Sequence, residues 1–393
     1  MLFRDDLSAI ASKVRDKVFA ACDQAADVIV SIDPTHVGYL TGYRSLLFDL
    51  MRDYRTAAIV SREKAVLVTG ASDVAAALEV LREPACIYRY GTFYFESSDS
   101  AQVDFSTLPK SESTFADALR AALAGTIKPQ HCVGFDCAHA GQLEGMKDFM
   151  AERSFDARPA ILKARRTKLA GEIEKIAHAA AITERGLERA FAEAKAGMTE
   201  LELSTIIAGE MRAGGGVPRF VVVTGGERAA LADAYATCAK LRTGDLVRFD
   251  IGCTVDGYWA DMARSAVVGE PSREQQARYD ALLAGEEAQR ALARAGVSAG
   301  ELFKVAVERV RAGALPAYRR SNCGHGIGID VHEFPSLSPA NAAVEIEDGM
   351  VLCVETPYYQ IGWGGMMVED MIVIRGSGNQ CLTRLPRELR RIA

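Results

Sequence analysis

The chain lacks the features of a membrane-bound, secreted or nucleic-acid-binding protein. No apolar run approaches the ~18–20 residues of a membrane span, and the start at Met1–Asp6 has neither the basic nor the apolar part of a signal peptide. The 46 Lys and Arg residues form no dense cluster and are outnumbered by 52 Asp and Glu residues, which gives a net charge of −6. We therefore expect a cytoplasmic protein that binds neither nucleic acid nor a membrane.

The cysteines also lack the spacing of a disulfide framework or a metal site. There are nine in 393 residues, an odd number, and no two of them form a CxxC pair. This argues against a disulfide framework and against a thiolate zinc site. We expect reduced, partly buried thiols at Cys22, Cys86, Cys132, Cys137, Cys238, Cys253, Cys323, Cys353 and Cys381.

The first 160 residues have the rhythm of an α/β layer domain, because short strand-like runs alternate with helical stretches. They carry no tight cluster of metal-ligand types, so we expect a structural or oligomerising role for them. The predicted strands are Val28–Ile32, Ala57–Val60, Ala65–Thr69, Cys86–Tyr90 and Cys132–Phe135. The predicted helices are Asp6–Asp23, Ala75–Leu81 and Thr114–Ala124.

From about residue 161 the pattern changes to long amphipathic helices and longer strands. Apolar residues recur at helical spacing over Lys168–Ala196, and Gly197 is a suitable stop. Further helices are expected at Glu200–Ala213 and Arg273–Ala295. The predicted strands are Leu246–Thr254, Tyr258–Val268, Val351–Tyr358 and Met366–Ile374.

An Asp-Gly pair at positions 256 and 257 predicts a two-residue hairpin turn between two of these strands. A constant register from that turn sets Asp261 opposite Gly252, so that Asp250 lies diagonally across from Asp261, at roughly 7 Å. Two carboxylates can then converge on one cation or metal site. On this feature alone, a solvent-facing amphipathic hairpin is an equally good interpretation.

A glycine-rich segment, Cys323–Glu333, contains His325 between two glycines and His332 seven residues later. Glycine neighbours allow an imidazole to approach other groups closely, and imidazole with carboxylate suits divalent first-row metals. Single histidines usually belong to the core or the surface. Two in one such motif favour a functional site.

Two acidic residues, Glu355 and Glu369, interrupt strand-like apolar runs. An unpaired carboxylate in such a setting is strongly destabilising. A salt bridge or an edge-facing side chain explains either residue alone. Their appearance downstream of the aspartate pair and His325 favours a shared site.

The order Asp, Asp, His, Glu, Glu between residues 250 and 369 resembles the creatinase, prolidase and methionine aminopeptidase superfamily, which has the pita-bread fold. Lys168–Ala180 is similar to that family's Lys-x-x-x-Glu-Ile helix, and Asp33–Tyr43 to a segment of its N-terminal domain. The resemblance implies a creatinase-type α/β N-terminal domain over residues 1–160. It implies an α+β pita-bread catalytic domain over residues 161–393, and a homodimer.

The same resemblance implies two divalent metal ions, with Mn²⁺ expected and Co²⁺, Zn²⁺ or Fe²⁺ as alternatives. Asp250 would bind one ion, Asp261 and Glu369 would bridge both, and His325 and Glu355 would complete the other. A metal-bridged hydroxide would then hydrolyse an N-terminal Xaa-Pro bond. In this interpretation Glu355 also shuttles the proton, and His332 stabilises the substrate carbonyl or oxyanion.

Two positions depart from proline-specific relatives. Asp233 stands where those relatives usually have a histidine, and Met367 where they often have an arginine. Unless the alignment is off by a residue or a neighbour compensates, we expect altered recognition of the leaving group, with a free carboxylate repelled at Asp233. Tyr258 is one of several aromatic residues near the ligands that can wall a substrate pocket, although core packing is the usual role of such residues.

Three functions fit these observations. The first is a metallopeptidase of the Xaa-Pro dipeptidase or aminopeptidase P type, acting on small peptides. The second is a non-peptidase C–N hydrolase of a small nitrogenous compound, like creatinase or ectoine hydrolase, which the changes at Asp233 and Met367 keep open. The third is a catalytically silent binding protein, whose signature would be the loss of metal ligands, and none is lost.

Overall fold

A computed structural model of the chain describes residues 4–96, 105–136 and 154–393. The chain divides into two compact units, Met1–Arg165 and Arg166–Ala393; the sequence analysis placed the division after residue 160. The eight cysteines in the described ranges are free thiols, and Cys137 lies outside those ranges. Among the described helices, none is long and apolar enough to cross a membrane.

The first unit is built on a mixed six-stranded sheet in the order β4-β3-β2-β1-β5-β6. Its elements are α1 (Asp5–Ala21), β1 (Val28–Ser31), α2 (Pro34–Thr41), α3 (Leu47–Leu50), β2 (Ala57–Val60), β3 (Ala65–Gly70), α4 (Val74–Leu81), β4 (Ile87–Tyr90), α5 (Phe115–Thr126), β5 (Val133–Asp136), β6 (Ser154–Asp156) and α6 (Arg158–Arg166). All five predicted strands and all three predicted helices of this part are present. Each lies within two residues of its expected bounds.

Helix α2 was not predicted, although its start carries a recognisable signal. The Asp33 carboxylate accepts hydrogen bonds from the backbone N–H groups of Thr35 and His36, at 3.0 and 3.2 Å. Pro34 occupies the first helical position, where its missing N–H has no cost. The Asp33-Pro34 pair therefore marks the start of a helix. The helix is only eight residues long, too short to show a clear helical repeat of apolar residues.

The second unit contains a ten-stranded sheet and four helices. Its elements are α7 (Ala170–Glu193), α8 (Glu200–Ala213), β7 (Val217–Gly225), β8 (Leu246–Val255), β9 (Tyr258–Trp259), β10 (Met262–Val268), α9 (Arg273–Leu292), α10 (Ala299–Ala312), β11 (Gly324–Gly326), β12 (Glu333–Ser336), β13 (Val351–Glu355), β14 (Tyr358–Gln360), β15 (Gly364–Met366), β16 (Glu369–Arg375), β17 (Gly378–Cys381) and β18 (Arg390–Ile392). The three predicted helices are confirmed, and α10 was missed.

The main path of the large sheet is β12-β11-β13-β16-β10-β8-β7. Strand β9 pairs with β8, β17 with β16 and β18 with β10, while β14 and β15 form a separate two-stranded sheet. The central strands β13 and β10 are buried along their whole length, and β16 is buried except at its last residue. An acidic side chain on these strands therefore points into the protein and not into bulk water.

Three helices of this unit begin with reciprocal hydrogen bonds between a hydroxyl residue and an acid or amide three positions later. In α8, Thr199 Oγ1 accepts from the Glu202 N–H at 3.1 Å, and the Glu202 carboxylate accepts from the Thr199 N–H at 2.7 Å. Ser272 with Gln275 and Ser298 with Glu301 do the same for α9 and α10. These capping boxes fix where the helices start.

Candidate metal centre

The two aspartates are brought together by the hairpin between β8 and β10. Asp256 and Gly257 have φ values of 53° and 88°, as an Asp-Gly hairpin turn requires. Val255 pairs with Tyr258, and further along Ile251 pairs with Met262. The register is therefore constant, and Asp261 faces Gly252 as predicted.

Close backbone approach is possible at Gly252 because it has no side chain. A Cβ atom at this position would lie 2.3 Å from the carbonyl oxygen of Ala260 and 2.4 Å from the ring of Phe220. The contact with Ala260 would push the two strands of the hairpin apart, and the contact with Phe220 would push β8 away from β7. Gly252 thus holds Asp261 close to the strand that carries Asp250.

His325 reaches the cluster from the short strand β11. Gly324 before it has φ = 128°, and a Cβ there would lie 2.1 Å from the carbonyl oxygen of Cys353. Only glycine allows β11 to pair so closely with β13, where His325 stands opposite Cys353. The His325 Nδ1 lies 3.0 Å from the carbonyl oxygen of Gly326, which leaves Nε2 to face the carboxylates.

The tightest group of potential ligands consists of Asp261, His325, Cys353 and Glu369, whose ligand atoms all lie within 4.8 Å of one another. His325 Nε2 is 3.7 Å from Asp261 Oδ2 and 3.9 Å from Glu369 Oε1. Asp261 Oδ1 and Glu369 Oε1 are buried without a hydrogen-bond partner. Orphaned buried carboxylate oxygens beside an imidazole are the ligand atoms that a divalent cation requires.

Burial and mutual repulsion set the protonation of these groups. Burial raises the pKa of Asp261 and of Glu369 well above their ordinary values, and neighbouring carboxylates raise both further. Burial also raises the pKa of Asp250, and it raises that of Glu355 to about 7. Burial lowers the pKa of His325 to about 3, so that its imidazole is neutral and available as a ligand at neutral pH.

Asp250 and Glu355 lie outside the tightest group but line the same cleft, which has a volume of about 790 Å³. All five predicted ligands, Asp250, Asp261, His325, Glu355 and Glu369, line this cleft. The four carboxylates are close enough for the charge of one to shift the pKa of another. The His325 imidazole lies within 4 Å of the Asp261 carboxylate. The structure thus collects the five residues, and it adds Cys353, whose position sequence reasoning did not identify.

Arg248 holds Asp250 in place and was not recognised from the sequence. Its guanidinium donates to Asp250 Oδ2 at 2.9 Å and to the carbonyl oxygens of Ala229, Leu231 and Ala232 at 3.2, 2.9 and 2.5 Å. The side chain is fully buried. The sequence offered one signal for this contact. Arg248 is two residues before Asp250 on the same strand, and residues i and i+2 of a strand share a face.

His332 stands beside His325, with ring centroids 4.1 Å apart. The next residue, Glu333, holds this segment: its carboxylate accepts from the backbone N–H groups of Ile329 and Asp330 and from Lys168 Nζ, the last at 2.9 Å. The Lys168–Glu333 pair is buried. Lys168, the lysine of the Lys-x-x-x-Glu-Ile motif, therefore anchors the loop that carries His332 through its ion pair with Glu333.

The three predicted substrate residues have different locations. Asp233 and Met367 line the cleft, and the Asp233 carboxylate raises the pKa of Asp250. Tyr258 is not among the cleft-lining residues; it is buried, and its hydroxyl interacts with Glu172 of α7. Its odd spacing from Asp261 places it on the other face of the hairpin, so its assignment to a substrate pocket is not supported.

Comparison with known structures places this arrangement in a fold class. An X-Pro aminopeptidase from Thermotoga maritima is 24% identical, with a TM-score of 0.79 over 97% of this chain and 99% of its own. A prolidase from Pyrococcus furiosus is also 24% identical, with a TM-score of 0.75 over 94% of this chain and all of its own. The fold is thus a creatinase-type α/β domain followed by a pita-bread domain, as predicted.

Residues 174–376, more than half of the chain, match metallopeptidase family M24. The chain belongs to this family, and the predicted superfamily is confirmed. Membership implies divalent metal ions, for which the cluster offers suitable ligands. An Xaa-Pro dipeptidase from Pyrococcus furiosus is 31% identical over 220 residues, which are 56% of this chain and 63% of that relative. The match thus spans less than two thirds of the relative's length.

Proposed function

We propose that this chain is a metal-dependent peptidase that hydrolyses an N-terminal Xaa-Pro bond, as an Xaa-Pro dipeptidase or an aminopeptidase P-like enzyme. The observation that carries the proposal is the pair of buried, unpartnered carboxylate oxygens, Asp261 Oδ1 and Glu369 Oε1, beside a neutral His325. The reaction is suggested by the relative from Pyrococcus furiosus, which is named an Xaa-Pro dipeptidase.

The cofactor in this proposal is a pair of divalent ions held by Asp250, Asp261, His325, Glu355 and Glu369. Four carboxylates balance the charge of two such ions, which removes the mutual repulsion that adds to burial in raising the pKa values of Asp261 and Glu369. An oxygen-rich set with one imidazole suits Mn²⁺, with Co²⁺, Zn²⁺ and Fe²⁺ as alternatives. When bound, the ions would polarise the scissile carbonyl and activate water.

Side chains of the protein would carry out proton transfer and stabilise the substrate carbonyl. Glu355 lines the cleft and would take up a proton and deliver it to the leaving nitrogen. His332 lines the cleft next to His325 and can donate a hydrogen bond to the substrate carbonyl oxygen as negative charge develops there. The ion pair between Lys168 and Glu333 holds the loop that carries His332 in place.

The experiment that tests this function is a screen of the Mn²⁺-supplemented protein against Xaa-Pro dipeptides, longer Xaa-Pro peptides, creatine and ectoine. We expect turnover of Xaa-Pro substrates. Activity confined to creatine or ectoine would replace the peptidase with the second candidate, a C–N hydrolase of a small nitrogenous compound, which the acidic Asp233 in the cleft favours. A protein that binds metal and hydrolyses none of them would contradict both.

The proposal extends to a homodimer in the cytoplasm, on the strength of the family resemblance. Sedimentation of the purified chain tests the first part, with a mass of twice 42.4 kDa expected. Fractionation of the source cells tests the second. A monomer at micromolar concentration, or a signal in the membrane or exported fraction, would contradict the respective part.

A further inference from the structure

Arg320 is a cation in the wall of the cleft that the proposed chemistry does not use. It lies on the segment between α10 and β11, and its guanidinium is 5.7 Å from the ring centroid of Tyr359. Its Nε atom is buried and has no hydrogen-bond partner. Within residues 4–96, 105–136 and 154–393, its side chain forms no hydrogen bond and no ion pair.

The other arginines at the cleft are occupied. Arg248 donates to one carboxylate and three carbonyl oxygens, as described above. Arg219 donates from Nε to Thr254 Oγ1 at 3.0 Å, and its guanidinium lies 5.8 Å from the ring centroid of Trp259. Arg320 is therefore the cleft arginine whose donors are available to a ligand.

Arg320 lines the same cleft as Glu355 of the metal cluster, yet the two side chains form no ion pair. Keeping a guanidinium partly buried and unpaired is costly. A bound anion would recover that cost, and a carboxylate matches the planar fork of a guanidinium with two parallel hydrogen bonds.

We propose that Arg320 binds the C-terminal carboxylate of the substrate and thereby selects dipeptides over longer peptides. This inference rests on the proposed peptidase function. Asp233 lines the same cleft and repels a carboxylate, and Met367 carries no charge. Arg320 then supplies the positive charge that a substrate ending directly after its second residue requires.

The test compares an Xaa-Pro dipeptide with its C-terminal amide in the metal-loaded wild type, Arg320→Met and Arg320→Lys. The matched control is Arg319→Met, since Arg319 is exposed and does not line the cleft. We expect Arg320→Met to lower kcat/KM for the free acid roughly 10- to 100-fold, mainly through KM, and to change the amide by less than about 3-fold. Arg320→Lys should restore part of the loss, because lysine keeps the charge but not the fork.

Equal losses for acid and amide would overturn the inference, because a merely structural role of Arg320, or one exerted through Glu355, affects both substrates. A wild type that accepts acid and amide equally well would also overturn it. The melting temperature of Arg320→Met checks that the variant is folded. If it is not, the comparison is made with Arg320→Lys alone.

A binding measurement separates this inference from the proposed function. Calorimetry on the metal-loaded protein compares proline with prolinamide, and we expect proline to bind more tightly in the wild type and no better than prolinamide in Arg320→Met. This result without any peptide hydrolysis would contradict the peptidase and support the role of Arg320. Peptide hydrolysis with discrimination that survives Arg320→Met would contradict the role of Arg320 alone.

Discussion

Glu355 and Glu369 stand directly opposite each other on the paired antiparallel strands β13 and β16. Both side chains are buried, with 7% and 1% of their surface exposed. Two acids at facing positions of buried strands destabilise a sheet unless they share a proton or a cation. The neighbouring strands complete the group, because β11 pairs with β13 and carries His325, while β10 pairs with β16 and is directly preceded by Asp261. We infer that a cation is what the four residues share.

Replacing Glu369 by Gln should abolish metal binding without destabilising the metal-free protein. Glutamine keeps the shape of the side chain and removes one of several mutually repelling charges. We expect the rise in melting temperature that Mn²⁺ gives the wild type to disappear, and the metal content by elemental analysis to fall. Glu345→Gln, at an exposed position in the same unit, is the control and should behave as wild type. A Glu369→Gln protein that retains its ions would contradict the proposed ligand set.

The metal-free protein should be more stable at about pH 6 than at about pH 8. The folded-state pKa values of Asp261, Glu355 and Glu369 are raised, so the folded state binds protons that the unfolded state has released. Stability therefore falls as pH rises from the ordinary carboxyl pKa through the raised values, which for Glu355 is the window from 4.5 to about 7.

Added Mn²⁺ should oppose this trend, because the ions replace protons on the same oxygens. Thermal unfolding at both pH values, with chelator and with Mn²⁺, is the measurement. The stabilisation by metal should be larger at about pH 8, and calorimetry in buffers of different ionisation enthalpy should show proton release on binding. Metal-free protein that gains stability between about pH 6 and pH 8 would contradict the assignment.

Replacing Cys353 by Ala should leave the metal content unchanged within about 2-fold. Burial and the nearby carboxylates raise the pKa of the Cys353 thiol well above its ordinary value, and the thiol is hydrogen-bonded to Glu369. It therefore stays protonated, whereas the thiolate is the form that binds metal. Cys323→Ala, another buried free thiol outside the tight cluster, is the matched control. Loss of an ion from Cys353→Ala alone would make the sulfur a ligand.

Replacing Asp233 by Asn should improve the binding of Xaa-Pro dipeptides. Asp233 lines the cleft, and its negative charge repels the free carboxylate of a dipeptide. We expect KM for the free acid to fall roughly 3- to 10-fold and KM for the amide to change less. Steady-state kinetics on the acid and amide pair check this. Turnover of the dipeptide that is efficient in the wild type and unaffected by Asp233→Asn would contradict it.

The parts of this site that follow local rules could be predicted from sequence. The Asp-Gly turn fixes the register of β8 against β10, and that register places Asp261 opposite Gly252. The glycine before His325 was also informative, since the strand pairing at Gly324 leaves no room for a side chain. Such features depend on a few consecutive residues, whose conformational preferences are strong.

The parts that depend on pairing between distant strands could not be predicted in this way. Cys353 enters the cluster because its strand, β13, pairs with β11 on one side and with β16 on the other. These three strands are separate segments of the chain, and no local pattern shows that they are neighbours. Arg320 has no pattern around it, and only the fold shows that its donors are unpaired. Tyr258 is close to Asp261 in sequence but does not line the cleft, because an odd spacing reverses the face of a strand.

The central claim is that the carboxylate and imidazole groups around Asp261 and Glu369 hold catalytic metal. The most direct test measures metal content and Xaa-Pro hydrolysis on the same sample, before chelation, after chelation, and after Mn²⁺ is returned. We predict two divalent ions per chain, activity that is lost with them, and activity restored by Mn²⁺. Full activity in protein that contains no metal would contradict the claim.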